Sequence, residues 1–519
     1  MAKNPTDSPA PSFAQTLKDW TLGRAKVKDD LTIHLSERDG GTLHDKMRQA
    51  YWWIINNAII VPHYDIAYEN QGSVDMPGGE TICLPQAMSY SSYVLIPLLT
   101  LFTNRKALMI GGPGRGKTTS SVIMALLAGM KPDDVRRSML RGHPQLSISD
   151  LLGAPLPSEL MKAEEAKDIK ISWRQWITGP VKIIDEYNRI PTKTQSALLS
   201  LMADGHAEMF DQYVYAGSSA WFLTANDDAG GGTFQVIDAL KDRIDVVVRA
   251  VPFNSGFIET LVERVESGKN PEDLIPSDII FTPEELDTIR KEIKAVPIPD
   301  QVLTSLGFFL GQLDFCRRAS PDFEYMSKDT LHLSGKTVGT VCTEACPLDK
   351  RKHLCTQTEN GISPRAYLTA LHFAKALAYF RGGTEVAWED VRQIVPWVLH
   401  EKLKPNTRSP YFAEETKASL LFDRVAWIRS MIDHSVDQRR TTQPIIDQVQ
   451  EIRETLGRGL EGVNISDVEK QKKKIVGLIQ KLSKDHEFSG YIYELLQQLK
   501  AFYSRYHNYS LWLSSHSAK

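Results

Sequence analysis

Gly111-Gly-Pro-Gly-Arg-Gly-Lys-Thr118 is the stretch that decides the fold, because it matches the phosphate-binding pattern G-x-x-x-x-G-K-[ST] without a gap. Ahead of it, Ala107-Leu-Met-Ile110 is short and apolar like a buried strand. Behind it, Ser120-Ser-Val-Ile-Met-Ala-Leu-Leu127 has helical spacing, so the motif sits in the strand, loop and helix context it needs. Gly111, Gly112, Gly114 and Gly116, with Pro113 and Arg115 between them, let backbone N–H groups turn around an anion, and the helix that starts beyond them adds its positive end. Lys117 would reach the outer phosphates, Thr118 a magnesium ion, and Thr119 lies in the first turn of the cradle. A glycine-rich turn before a helix is the plain alternative.

Working outward, 519 residues are too many for one compact core and predict two to four domains. A net charge of −3 gives no global basic field of the kind that binds nucleic-acid backbones, which leaves only a local patch for that purpose. Five cysteines in such a length make no disulfide framework. The first residues have no apolar signal region, and the most apolar run, Tyr93 to Phe102, is interrupted by Pro97 and is far short of a membrane span. A cytoplasmic protein without membrane insertion is expected.

The periodicity divides the chain into a polar N-terminal arm (1–45), an α/β region (46–253), a helical region (254–407) and a second helical region (408–519). Leu43–Val61 reads as a helix with one buried face that opens the folded region, and Ala107–Ile110, Val181–Ile184, Ala220–Thr224 and Ile244–Val248 read as strands. Alternation of strands and helices predicts a parallel sheet with ligand chemistry at the carboxyl ends of its strands. From about Ser255 the strands give way to helical periods. The last region breaks at Gly457-Arg-Gly459 and Ser489-Gly490, so a helical hairpin or small bundle is expected there.

Two further strands end in the residue types a phosphate site uses. Val181-Lys-Ile-Ile-Asp-Glu186 places Asp185 to hold magnesium and Glu186 to polarise a water, although an apolar strand running into a solvated Asp-Glu turn has the same appearance. Trp221-Phe-Leu-Thr-Ala-Asn226 ends in an amide that could orient that water or simply make a turn. Arg243 closes a helix-like segment before the next strand, where it could pair with Asp242, cap the helix, or reach a neighbouring subunit's nucleotide.

Gly179-Pro-Val-Lys-Ile-Ile-Asp-Glu-Tyr-Asn-Arg-Ile-Pro-Thr-Lys-Thr-Gln-Ser-Ala-Leu-Leu199 closely resembles the signature of MoxR-type AAA+ ATPases. Asp150-Leu-Leu-Gly153, Gly232-Thr-Phe234, Asp242-Arg243-Ile244 and Ile362-Ser-Pro-Arg-Ala366 resemble it as well, and the likeness runs from about 45 to 405. The resemblance implies an α/β AAA+ P-loop core, an all-α lid, and a ring, usually hexameric, with ATP and magnesium between subunits. It implies that Asn226 is sensor 1, Arg243 a trans-acting finger, Arg365 the lid's sensor 2, and Arg189 an inter-subunit signalling residue. It also implies an insert in the helix before Asp185, where the charged segment Pro157–Ile171 could line a pore, contact a client or be a solvated surface helix, and a von Willebrand factor A-domain partner in remodelling, maturing or activating a protein client. The sequence departs from the family after Asn226, where Asp227-Asp228 replaces the usual proline, and in two larger segments.

The first of these is an insertion at about 316–360 carrying Cys316, Cys342, Cys346 and Cys355. Four sulfurs could surround one tetrahedral zinc ion, or less aptly an iron–sulfur cluster, or remain as reduced thiols. Cys83 stands apart and reads as a small apolar filler. The second is the region after 405. There Lys470-x-Lys472-Lys-Lys474 reads as a solvated helix face or a nucleic-acid contact, and Tyr503, Tyr506, Tyr509 and Trp512 as buried packing or a docking patch. A nucleic-acid motor and an ATP-dependent assembly scaffold are the alternative functions; no DNA-reading module stands out.

Overall fold

In a computed structural model of the chain, the described residues are 41–516, apart from 60–62, 69–71, 78, 80, 162–168, 227–237, 251, 253–254, 269 and 323. Most of the N-terminal arm, the centre of the 157–171 insert, Gly232–Phe234 and the loop after Asn226 therefore lie outside them.

Five strands form a wholly parallel sheet: β1 (Lys106–Ile110), β2 (Met139–Arg141), β3 (Val181–Asp185), β4 (Ala220–Ala225) and β5 (Val246–Arg249). Their order is β5-β1-β4-β3-β2. Both faces are covered, which is why the strands are apolar throughout. Ala107, Met109, Ile183 and Phe222 face one core; Leu108, Ile184 and Leu223 face another. β5 begins two residues later than its apolar pattern suggests, because Asp245 is drawn into the sheet edge, where its carboxylate accepts from the N–H of Lys106 at 2.9 Å. The sequence reading misses β2, whose three residues are too few to show a period.

Around the sheet stand α1 (Leu43–Trp53, running on into a wider π turn to Ala58), α2 (Ser92–Thr103), α3 (Lys117–Leu127), α4 (Thr192–Asp204) and α5 (Asp238–Arg243). α2 is the apolar run containing Pro97. It is buried along its whole length against β4, β5 and α3, and no described helix is long and apolar enough to cross a membrane.

The helical region follows with α6 (Pro283–Ala295), α7 (Asp300–Asp314), α8 (Pro364–Phe380) and α9 (Trp388–Leu399), and then α10 (Arg424–Thr441). These share one continuous core with α1, α2 and one sheet face. α11 (Gln443–Gly457), α12 (Ile465–Asp485) and α13 (Gly490–His516) build a second core together with Phe308 of α7, and Tyr506 is buried in it. The breaks at Gly457–Gly459 and Ser489-Gly490 fall between them, as the sequence suggests. The lysine run on α12 is a solvated face tied by carboxylates, Lys472 to Glu469 at 2.8 Å and Lys474 to Glu451 at 2.7 Å. The α/β core and the all-helical lid agree with the α/β AAA+ P-loop architecture expected from the sequence, and the C-terminal helices are added to it.

Candidate functional site

The strand order places β1 where the topology reverses, with β4 on one side and β5 on the other, so the loop leaving β1 opens into the crevice where such sheets bind ligands. That loop is Gly111–Gly116, and Gly116 caps α3. Gly111 has to be glycine, since its φ is +157° and a Cβ would stand 2.9 Å from that of Ala250 at the end of β5. Pro113, Gly114 and Gly116 are exposed along the crest, while Gly112, Arg115 and Thr119 are half-buried.

Lys117 is almost wholly buried, and its ammonium is ringed by oxygens: the carbonyls of Gly111 and Gly112 (2.8 Å to the latter) and Oδ1 of Asn226 at 3.0 Å. Thr118 Oγ1 donates to Asp185 Oδ1 at 2.8 Å, and Thr224 Oγ1 donates to the same oxygen at 2.6 Å. Thr224 also accepts from the backbone N–H of Glu186 at 2.9 Å. One hydroxyl on β4 thus fixes both Asp185, at the end of β3, and Glu186 just beyond it. Glu186 itself adopts a φ of +54°, a conformation that L-residues other than Asn, Asp and Gly rarely occupy. Its carboxylate is held from both sides, by Asn226 Nδ2 at 3.0 Å and by Arg189 Nη1 at 3.0 Å.

Gly142, just beyond β2, completes this corner. Its N–H donates to Asp185 O at 2.7 Å, and a Cβ there would fall 2.2 Å from Glu186 O. Sequence reasoning misses Gly142, Thr224 and the Arg189 contact. Only the last has a local signal, a three-residue spacing from Glu186.

Lys182, in the middle of β3, is fully buried away from these carboxylates. It donates to Gly179 O, Ala216 O and Ser219 Oγ, and burial pushes its pKa down to about 7.

The two arginines named from the sequence lie elsewhere. Arg243 ends α5, just before Asp245, which bonds Lys106 at the start of β1. Arg365, in the first turn of α8, pairs with Asp242, which also accepts from Ser363 Oγ at 3.2 Å. Thr369 donates to Asp245 at 2.8 Å, and Lys402 to the carbonyls of Asp242 and Ile244. This cluster therefore gathers at the amino edge of the sheet. The five residues of β1, about 16 Å of strand, separate it from the phosphate loop.

A cavity of about 580 Å³ opens beside the loop. Ala250 and Tyr93 line it and also touch the loop, Ala250 O accepting from Arg115 Nη1 at 3.4 Å and Tyr93 OH donating to Arg115 O at 3.2 Å. Its far wall includes Trp397 and His400 from the end of α9 and Arg429 from α10. Trp397 Nε1, His400 Nε2 and Arg429 Nε are buried without a hydrogen-bond partner. Burial lowers the His400 pKa to about 4, so the ring is neutral, and its Nδ1 lies 3.3 Å from Pro396 O, which leaves Nε2 as an acceptor. Nothing in the sequence marks these residues, which are distant in the chain from the glycine loop.

The four cysteines of the insertion come together without support for a metal. Cys316, Cys342, Cys346 and Cys355 do line one small cavity, but among the described residues no three His, Cys, Asp or Glu side chains converge to hold a metal ion. They stand as free thiols, and burial raises Cys355 to about 12. The insertion is instead held by a small apolar cluster, Phe315, Leu348, Cys355 and Tyr493, and by the fully buried Lys328, which donates to Thr358 and Asn360 oxygens. Cys83 is no core filler either. It lies exposed on a hairpin of Gly72–Asp75 with Thr81–Leu84.

Compared with known proteins, residues 350–421 match the AAA lid domain family. Over 313 residues the chain is 24% identical to the uncharacterized protein YeaC of Bacillus subtilis (strain 168), covering 60% of this chain and 80% of YeaC. The crystal structure of a candidate ATPase from Cytophaga hutchinsonii ATCC 33406 aligns over 74% of this chain and 94% of its own, with a TM-score of 0.49 and 16% identity. The lid match falls on the helical segment that carries Arg365, and so joins the phosphate loop and the sheet in pointing to an AAA+ nucleotide-binding module.

Proposed function

We propose that the chain is a ring-forming ATPase of the MoxR type, in which the phosphate loop of one subunit is completed by the Arg243 edge of the next. The observation that carries this reading is Glu186, fixed between Asn226 and Arg189 at the end of the strand whose Asp185 meets Thr118. A carboxylate so placed beside a phosphate loop suits a general base that takes the proton of an attacking water, with Asn226 orienting that water.

Thr118 Oγ1 and Asp185 Oδ1 converge as hard oxygen donors and fit magnesium, which would neutralise phosphate charge when bound. Lys117 would exchange its backbone partners for the outer phosphates. The base and ribose would enter the cavity beside Arg115. There Trp397 Nε1–H and the neutral His400 Nε2 offer one donor and one acceptor to a base edge.

Arg243 and Arg365 are too far along the sheet to serve the phosphate loop of their own chain. In a head-to-tail ring, usually a hexamer in this family, both would face the neighbour's nucleotide, where charge develops during phosphoryl transfer. Coupling of hydrolysis to remodelling, maturing or activating a protein client, with a von Willebrand factor A-domain partner, follows from the MoxR resemblance of residues 179–199. The test is hydrolysis by Glu186→Gln. It should bind Mg-ATP as the parent does and turn it over about 10²–10⁴-fold more slowly. Turnover within a few-fold of the parent would remove Glu186 as the base.

A further inference from the structure

The lid family match ends at residue 421, and α10 begins at Arg424, yet α10 forms part of the cavity beside the phosphate loop. Arg424, Val425, Ala426 and Arg429 all line it. We infer that α10 is the element through which the C-terminal region reads nucleotide occupancy, with Arg429 as the residue that touches the nucleoside end. This rests on the reading that Gly111–Thr118 binds a nucleoside triphosphate.

Three observations carry the inference. First, the cavity adjoins the loop, because its lining residues Ala250 and Tyr93 bond Arg115, and a nucleotide held by its phosphates would place its other end there. Second, Arg429 is incompletely used. Its Nη2 donates to Asp65 O at 3.2 Å and Gln393 Oε1 at 3.3 Å, its buried Nε has no partner, and no described carboxylate stands within ion-pair distance. Burying a guanidinium with an orphaned donor is costly unless something else satisfies it. Two further orphans on the same wall, Trp397 Nε1 and His400 Nε2, belong to side chains more than nine-tenths buried, so the vacancy in hydrogen bonding is a property of the wall and not of one side chain.

Third, α10 is built to pass on a displacement. Its opposite face is locked in the main core by Trp427, Ile428, Met431 and Ile432, all fully buried. Its far end runs through Thr442 directly into α11, the first helix of the C-terminal bundle. Asp433 is clasped by Arg392 of α9 at 2.6 Å, and Arg439 reaches Ser305 of α7, so lid and bundle move as α10 moves. A ligand that supplies acceptors to Arg429 draws the bundle toward the nucleotide.

The experiment compares ADP with inorganic pyrophosphate, which share the phosphate loop but not the nucleoside, on the full chain. Arg429→Gln should weaken ADP binding about tenfold, the worth of one charge-assisted hydrogen bond, and pyrophosphate binding less than twofold. Arg429→Lys should recover part of the ADP affinity. Saturating ADP should slow hydrogen exchange in residues 424–457 of the parent but not of Arg429→Gln. Equal weakening of both ligands would reduce Arg429 to a folding role, and unchanged exchange in the parent would remove α10 as a reader; either overturns the inference. Lys117→Ala separates the two readings, because it should abolish both ligands. If the parent itself binds neither, the phosphate-loop reading falls and takes this inference with it.

Discussion

The two edges of the parallel sheet carry opposite kinds of chemistry. At the carboxyl edge, hydrogen bonds of 2.8–3.0 Å join Lys117 to Asn226, Asn226 to Glu186 and Thr118 to Asp185, and Thr224 links the last pair to Glu186, in the arrangement a phosphate site needs. At the amino edge, Arg243 and Arg365 are arrayed with Asp242, Asp245 and Lys402, far from any phosphate their own chain could hold. The first edge can bind without help. On the proposed reading the second would serve phosphoryl transfer against another copy, so that binding and completion of the site would lie on opposite edges.

The sharpest way to break that contrast is Arg243→Ala. If the amino edge serves a neighbour, hydrolysis should fall about 10³-fold or more while ATP affinity stays within a few-fold, because the carboxyl edge is untouched. Mixing this variant with Lys117→Ala, which keeps its arginines but loses its phosphate loop, should restore part of the activity. No recovery on mixing, with each variant inactive alone, would mean that the two edges do not meet across subunits.

The carboxyl edge was largely legible in the sequence, and the reason is local. Lys117, Asp185 and Asn226 each follow a short apolar strand, and parallel strands bring their ends to one line whatever their order. Glu186 follows Asp185, so it came with it. What was not legible is whatever depends on packing between distant segments. Gly142 is dictated by the close approach of the Glu186 carbonyl, after a strand too short to show alternation. The cavity wall of Trp397, His400 and Arg429 is assembled from two helices far down the chain. The cysteines misled for the converse reason. Their spacing allows a ligand sphere and the fold does bring the four to one small cavity, but among the described residues no group of three is arranged to hold a metal ion, and the insertion is held by Phe315, Leu348 and Tyr493, with Lys328 buried against backbone oxygens.

A smaller effect tests the interior of the sheet between the two edges. Lys182 titrates near 7 in the folded chain and about 10.4 in an unfolded one, so between these values the unfolded state binds more protons and stability rises with pH. Below pH 7 both states are charged and the slope vanishes. From pH 7 to 9 the urea denaturation midpoint of the α/β core should therefore increase, by the equivalent of about 2 kcal/mol, and Lys182→Met should lose that slope whatever its absolute stability. A parallel slope in the variant would assign the dependence to other groups. Because Lys182 donates to Gly179, Ala216 and Ser219 and to neither Asp185 nor Glu186, ATP affinity should not follow the same curve.

The smallest expected effect concerns the ion pair that joins the lid to the amino edge. Arg365 and Asp242 are both partly exposed, and Ser363 binds the second oxygen of the same carboxylate, so Asp242 aims the start of α8 at the side of Arg243. An exposed pair of this kind is worth up to about 1 kcal/mol, which limits what its loss can do to about fivefold. Asp242→Asn keeps an acceptor for Ser363 but removes the charge that orients Arg365. If Asp242 positions Arg365 beside Arg243 for a neighbour's nucleotide, hydrolysis should drop two- to fivefold, the more so at low salt, with ADP affinity unchanged. A rise in rate would mean the reverse, that Asp242 holds Arg365 back. In that case the amino edge is a latch that must open before the two edges can meet.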